Sequence, residues 1–298
     1  MDYWIIATFI AVTFQTARFV LQKVVLDLGL STAGSTFSRF FYSAPIALFG
    51  FLIYLTVTTL PQVGDGFWAY VVAGGSTQIL ATLCIVELFK SRNFAVGVAF
   101  KKTEVLMTVL VGFILLSENV TPLALCAFIL GIVGVLTISP PPLGQGGWRA
   151  MLWNRSILLG LLSGFLFAVS GVTYRGASLL IHSDIPLERA GLTLVAVLTF
   201  QFLIMALWLS FREQGEMQRV WNARRSAMWI GVTSLGGSFA WFTAFTLQNA
   251  AYVNAVGQLE VVLSLVASVV LFKQRISPRE LIGLGILTAS IIILVLLA

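Results

Sequence analysis

Of the 298 residues 58% are hydrophobic and only 10% charged, with a mean hydropathy of +0.97; a soluble domain of this length needs far more charge to stay in solution. The net charge of +6 and pI near 9.6 come from bases in short stretches between apolar runs, which argues against nucleic acid and for the faces of a membrane. A single histidine, His182, and two cysteines inside apolar runs, Cys84 and Cys126, leave no basis for a disulfide framework, a metal centre or a His-built triad.

Runs of about 20 apolar residues match a hydrocarbon slab about 30 Å thick at 1.5 Å rise per residue. Backbone groups in lipid must be bonded within the segment, so helices are the expected spanning element. Ten are predicted. The first, 3–26, follows Met1-Asp2-Tyr3-Trp4, which lacks the basic stretch of a cleaved signal peptide, so it is expected to stay in the mature protein. Its stripe of Gln15, Arg18 and Gln22 has spacings of three and four. Arg18 lies too deep for lipid and is expected to face a cavity, where a guanidinium can hold a carboxylate through two parallel hydrogen bonds. The second span, 33–57, offers Arg39 with Tyr42 three residues on for the same task. The third, 67–89, contains Gly74-Gly75, a pair that permits close helix approach.

The fourth span, 94–116, sets Gly97, Lys101, Glu104, Thr108 and Gly112 on one helical face. Lys101 fits the face of Glu104; adjacent Lys102 points about 100° away, either lining the cavity from the side or snorkelling to the interface. The fifth span, 121–139, closes a first unit, 1–140, and 141–155 reads as a cytoplasmic linker. The second unit, 156–298, holds spans 156–180, 187–211, 226–248, 251–272 and 278–297. Arg175 lies near the outer end of the sixth span, while Lys23, Glu87 and Arg189 sit close enough to span ends to snorkel. Gly236-Gly237 in the eighth is a second close-approach pair, and Trp241, Phe242 and Phe245 there suit either a cavity wall or plain packing. The ninth answers the fourth with Gly257, Glu260, Ser264 and Ser268.

The loops after spans 3, 5, 7 and 9 carry eleven Lys and Arg, from Lys90 to Arg279, and those after spans 2, 4, 6 and 8 carry Arg189 alone. That bias puts the odd loops in the cytoplasm and both termini outside. At an offset of 156 residues Glu104-Val105 falls on Glu260-Val261, Thr108 on Ser264, Thr121 on Ser277 and Pro122 on Pro278. Five spans separate the copies, so the second is expected to be inverted. Inverted repeats are typical of secondary transporters with a midplane site between the halves.

The stretch KTEVLMTVLVGFILLSENVTPLALCAFILGIVGVL and its echo QLEVVLSLVASVVLFKQRISPRELIGLGILTASIII resemble the EamA-type repeat of the drug/metabolite transporter superfamily. The resemblance covers essentially the whole chain. It implies an all-α polytopic membrane protein, ten transmembrane helices as two inverted five-helix repeats around a central cavity, alternating access for small organic metabolites. The family's Glu in the fourth helix of each unit corresponds to Glu104 and Glu260; the Pro that often follows it is Val105 and Val261 here. The Glu that often closes that helix is Glu118 in the first unit and Gln274 in the second.

Charge at bilayer depth is costly and marks cavities or partners. Glu104 and Glu260, about ten and nine residues into their spans, lie near midplane by helical rise. They are candidate proton carriers or anchors for an ammonium group, or else members of ion pairs that hold helices in register, as Lys101 and Glu104 would. The expected ligand site is therefore Gln15, Arg18, Arg39, Tyr42, Lys101, Lys102, Glu104, Trp241, Phe245 and Glu260. Carboxylates beside cationic groups suit an amino acid or related amine-carboxylate. Proton-driven export follows by family analogy, with uptake or facilitated passage open. A channel is disfavoured by isolated mixed charges where rings of like charge are needed. A lipid-modifying enzyme lacks the His, Asp or Cys cluster it needs, and no Walker motif G-x-x-x-x-G-K-[ST] occurs. The expectation is thus a non-enzymatic, cofactor-free and monomeric carrier in a bacterial-type inner membrane, with a small-molecule substrate, the lipid bilayer and protons as its partners.

Overall fold

A computed structural model describes residues 2–90, 101–102, 104–138, 155–263, 266 and 277–297. Among these residues eleven helices and no strand occur, apart from one isolated antiparallel bridge between Val63 and Ile181. In chain order they are α1 (Tyr3–Asp27), α2 (Thr32–Val57), α3 (Phe67–Phe89), α4 (Glu104–Leu116), α5 (Pro122–Ile138), α6 (Arg155–Leu179), α7 (Pro186–Arg212), α8 (Glu216–Asn222), α9 (Arg224–Leu247), α10 (Ala250–Val256) and α11 (Pro278–Leu297). Gly97, Ser264, Ser268, Gln274 and the loop bases Arg92, Arg149, Lys273 and Arg275 lie outside the described residues.

Six helices, α1, α2, α3, α6, α7 and α9, are long and apolar enough to cross a membrane; the apolar stretches Glu104–Leu116, Pro122–Gly134, Ala250–Leu263 and Leu281–Leu294 are shorter. Large apolar side chains face outward along them, among them Phe49, Ile114 and Phe211 at 66, 74 and 75% exposure. No soluble protein shows such a surface to water; here lipid covers it. The chain is an integral, multi-pass membrane protein. Cys126 sits on this outer surface and Cys84 is half-buried; both are free thiols.

Two elements depart from the expected spans. The 212–225 connection contains α8, which starts at Gly215 with φ +86°, a left-handed turn that favours glycine. Its Glu216 is buried because the carboxylate accepts the Ser31 backbone N–H at 2.7 Å, just ahead of α2. The expected 251–272 helix is broken: α10 ends at Val256, and Gln258 and Val261 then donate three residues back, to Ala255 and Gln258, at 3.1 and 2.9 Å. The first half has a counterpart, since Lys102 lies in a turn, Val105 donates to the Lys102 carbonyl at 3.5 Å, and α4 begins at Glu104. Helix breaks thus fall just before both acids, although neither Glu is followed by proline.

The helices pair reciprocally across the halves. α1 packs on α9 and α3 on α6, while α2 meets α7, α4 meets α10 and α5 meets α11. First helix on third, third on first, and like on like is what a pseudo-twofold relation between two copies produces. Glycine sets the closest approach. A Cβ on Gly134 of α5 would stand 2.8 Å from the Leu287 nitrogen and 3.0 Å from the Gly283 carbonyl of α11. Both are backbone atoms that cannot swing aside. Gly134→Val is therefore expected to lower stability by about 1–3 kcal/mol through overpacking, read as a lower midpoint of thermal unfolding in detergent.

Candidate functional site

The helix breaks bring the acidic and basic residues together. Lys101, Lys102 and Glu260 are nearly fully buried, at 3, 5 and 1% exposure. Glu260 Oε2 accepts from Gln15 Nε2 at 3.2 Å, lies 3.5 Å from Lys101 Nζ and forms a short ion pair with Lys102. Lys101 also pairs with Glu104 at 3.3 Å. Lys101 thus bridges the acid of one half to the acid of the other, and Lys102 adds a second pair on Glu260. Lys102 does not snorkel. Its ammonium additionally reaches the Gly257 carbonyl at 3.5 Å, which also accepts the Glu260 backbone N–H, three residues on, at 3.1 Å.

Helix α1 supplies the hub. Gln15 Oε1 accepts from Trp241 Nε1 at 3.2 Å and from Arg18 Nη2 at 3.4 Å, while its amide nitrogen serves Glu260. Opposite, Asn254 donates to Thr108 Oγ1 at 2.9 Å, joining α10 to α4. Trp241 stacks with Phe245 and Tyr174 with Phe242, at ring centroid distances of 5.5 and 4.4 Å. The Lys101 ammonium lies 4.7 Å from the centre of the Phe167 ring, a cation–π contact in a desolvated place.

Arg39 of α2 is 1% exposed. It donates to Ser234 Oγ at 2.7 Å, Ser238 Oγ at 3.0 Å and Thr82 Oγ1 at 3.4 Å. Between Arg39 and Glu104 lies a cavity of about 40 Å³, walled by Gln15, Lys101, Ser238, Trp241 and Phe245 among others. A second pocket of about 10 Å³ lies against Lys102 and Glu260. Such spaces hold water, not a metabolite, so the site is closed in this conformation.

Eight of the ten residues singled out from sequence line these two spaces: Gln15, Arg39, Lys101, Lys102, Glu104, Trp241, Phe245 and Glu260. Two stand apart. Arg18 is buried behind Gln15, against the Phe19 ring at 4.8 Å, and does not line the cavity. Tyr42 points away, donating to the Val220 carbonyl at 3.0 Å beside α8. Asn254, Gln78, Ser170, Ser238 and Tyr174 complete its polar lining. These neutral polar residues carry no signal in an apolar sequence beyond their helical phase.

Ion pairs lie near both ends of α6. At one, Arg175 pairs closely with Glu118 and donates to the Phe245 and Gln248 carbonyls at 2.7 and 2.8 Å. At the other, Glu87 accepts from Thr32 at 2.6 Å and pairs with Lys90 at 3.0 Å and Arg155 at 3.3 Å. Glu87 thus ties three helices instead of snorkelling alone. No group of metal-binding residues occurs among the described residues.

One solved crystal structure of a protein, 15% identical, covers 100% of this chain and 97% of its own with a TM-score of 0.71, so the two share a fold. No curated protein matches the chain. The model of the EamA-like transporter family fits twice, over residues 2–139 and 154–296. Two fits that divide nearly the whole chain between them, one to each set of reciprocally packed helices, lead to a single assignment: the chain belongs to the EamA-like transporter family, membrane transporters of the drug/metabolite type.

Proposed function

We propose that the protein is a secondary active carrier that exports a small polar or zwitterionic organic metabolite, amino-acid-like or another amine-carboxylate, in a proton-coupled cycle. In this reading ten spans form two inverted five-helix units, 1–140 and 156–298, with both termini on the non-cytoplasmic side of an inner membrane. One observation carries it: the buried network in which Lys101 links Glu104 of the first half to Glu260 of the second, with Lys102 also paired to Glu260. Any movement that opens a path between the halves must break or exchange these pairs. Glu260 Oε2 takes all the donors, and Oε1 is buried with no hydrogen-bond partner among the described residues. That oxygen is the atom available to a proton. A proton there weakens the hold on both lysines at once, which couples protonation to the junction of the halves.

The test is a thermal-shift screen of the purified protein against amino acids and related amine-carboxylates, followed by counterflow in proteoliposomes. A ligand that stabilises the protein should show saturable, pH-dependent counterflow, and Glu104→Gln or Glu260→Gln should abolish both. If stabilisation and counterflow survive both substitutions, the network is not the site.

A further inference from the structure

The charges in the core do not balance. Lys101 and Lys102 are matched in number by Glu104 and Glu260 and are paired with them. Arg18 and Arg39 are left over. Among the described residues neither forms an ion pair with a carboxylate: Arg39 meets three hydroxyls, while Arg18 meets the Gln15 amide and leaves Nε without a partner. A guanidinium does not give up its proton in proteins, so two positive charges stand uncompensated in a closed, poorly solvated space. Such a charge usually recruits a counter-ion.

The surplus discriminates among solutes by net charge. A cationic amine would raise it from two to three, a zwitterion would leave it unchanged, and an anion would lower it. Glu104, which lines the cavity, already has its charge engaged by Lys101 at 3.3 Å. At the other end of the cavity some donors remain free. Arg39 has five N–H groups and uses three. Ser238, which accepts from Arg39, keeps its own hydroxyl proton, and both line the cavity. The Trp241–Phe245 and Tyr174–Phe242 stacks supply flat apolar walls beside these donors.

We infer that the substrate is an organic anion, its carboxylate held by Arg39 and Ser238 and its flat, unsaturated body laid against Trp241 and Phe245. The inference rests on the carrier reading and narrows its substrate from polar and zwitterionic metabolites to those with net negative charge. Closure around an empty cavity traps two unpaired cations, whereas closure over an anion neutralises one.

Three probes that share a phenethyl skeleton isolate the charge: 3-phenylpropionate, phenylalanine and phenethylamine. Each is titrated against the full-length protein in detergent with the unfolding midpoint as readout, then offered for counterflow in proteoliposomes. The expected order of stabilisation is anion, zwitterion, cation, with dissociation constants about tenfold or more apart between the first and last. Arg39→Lys, which keeps the charge, should retain the order with weaker binding, and Arg39→Gln should erase it. Should Arg39→Gln fail to fold, the wild-type series and Arg39→Lys still decide. Equal or greater stabilisation by phenylalanine or phenethylamine, or none by any probe, overturns the assignment. Counterflow of phenethylamine without a response to 3-phenylpropionate would sink the anion site and spare the carrier. Stabilisation by 3-phenylpropionate with no counterflow of any probe would do the reverse.

Discussion

Glu260→Gln is expected to cost about 3–5 kcal/mol of stability, the usual penalty for removing one member of a buried ion pair, and to abolish transport. The carboxylate serves both lysines and Gln15 through one oxygen; glutamine keeps an acceptor there but removes the charge that pairs the lysines. It also raises the count of unpaired buried cations from two to three. Lys102→Met acts in the opposite sense: Glu260 keeps Lys101 at 3.5 Å and Gln15 at 3.2 Å, and the positive surplus falls to one. The lysine change should therefore be the milder of the two by about 1–2 kcal/mol or more, and the double variant should recover part of the loss seen with Glu260→Gln. Thermal unfolding of the three variants in one detergent measures all of this. Equal losses for the two single variants would mean that the surplus is screened and that only the local pair matters.

Arg175→Ala is expected to be the second most damaging change. The guanidinium pairs with Glu118 at the end of α4 and caps two carbonyls, Phe245 and Gln248, where α9 finishes. Last-turn carbonyls have no intrahelical donor, and the negative end of the helix dipole favours a cation there. Removal leaves Glu118 unpaired at 14% side-chain exposure. Because some solvent reaches the site, we place the cost at about 2–4 kcal/mol, below the fully buried figure. Phe245 also walls the cavity, so the change reaches function: counterflow should fall by about tenfold or more, as when a positioning contact is lost. Glu118→Gln, which can still accept from Arg175, should retain most of the activity. Similar loss in both variants would point to the charge rather than to the carbonyl caps.

The sequence carries the membrane class and the helix positions because lipid imposes one simple demand, a run of apolar residues of fixed length. Span ends are therefore legible to within a few residues, as for 67–89 and α3. It also carries Glu104 and Glu260, since a charge at span centre is too costly to be accidental. What it hides is pairing. Lys102 and Glu260 are 158 residues apart, and no local rule joins them; a reading that looks one turn away finds a partner for Glu104 and none for Glu260. The break at Gly257–Gln258 is hidden for a related reason. Neither residue stops a helix in lipid by itself, and the break is supported by the Lys102 ammonium on the Gly257 carbonyl, a contact across the two halves. Arg18 and Tyr42 show the converse error. Helical phase gives the side of a helix, not whether Gln15 stands between Arg18 and the cavity.

The exchange of partners between α1 and α9, and between α3 and α6, bears on how the protein is made. A nascent chain that has delivered only its first five helices cannot yet place α1 or α3 against its main neighbour, and Arg39 lacks Ser234 and Ser238. The first half must therefore wait, with its polar faces held by the insertion machinery or by water, until ribosomal synthesis passes residue 247 and α9 arrives. Early quality control would find either half alone unfinished, whereas two separately encoded halves supplied together should find each other and assemble.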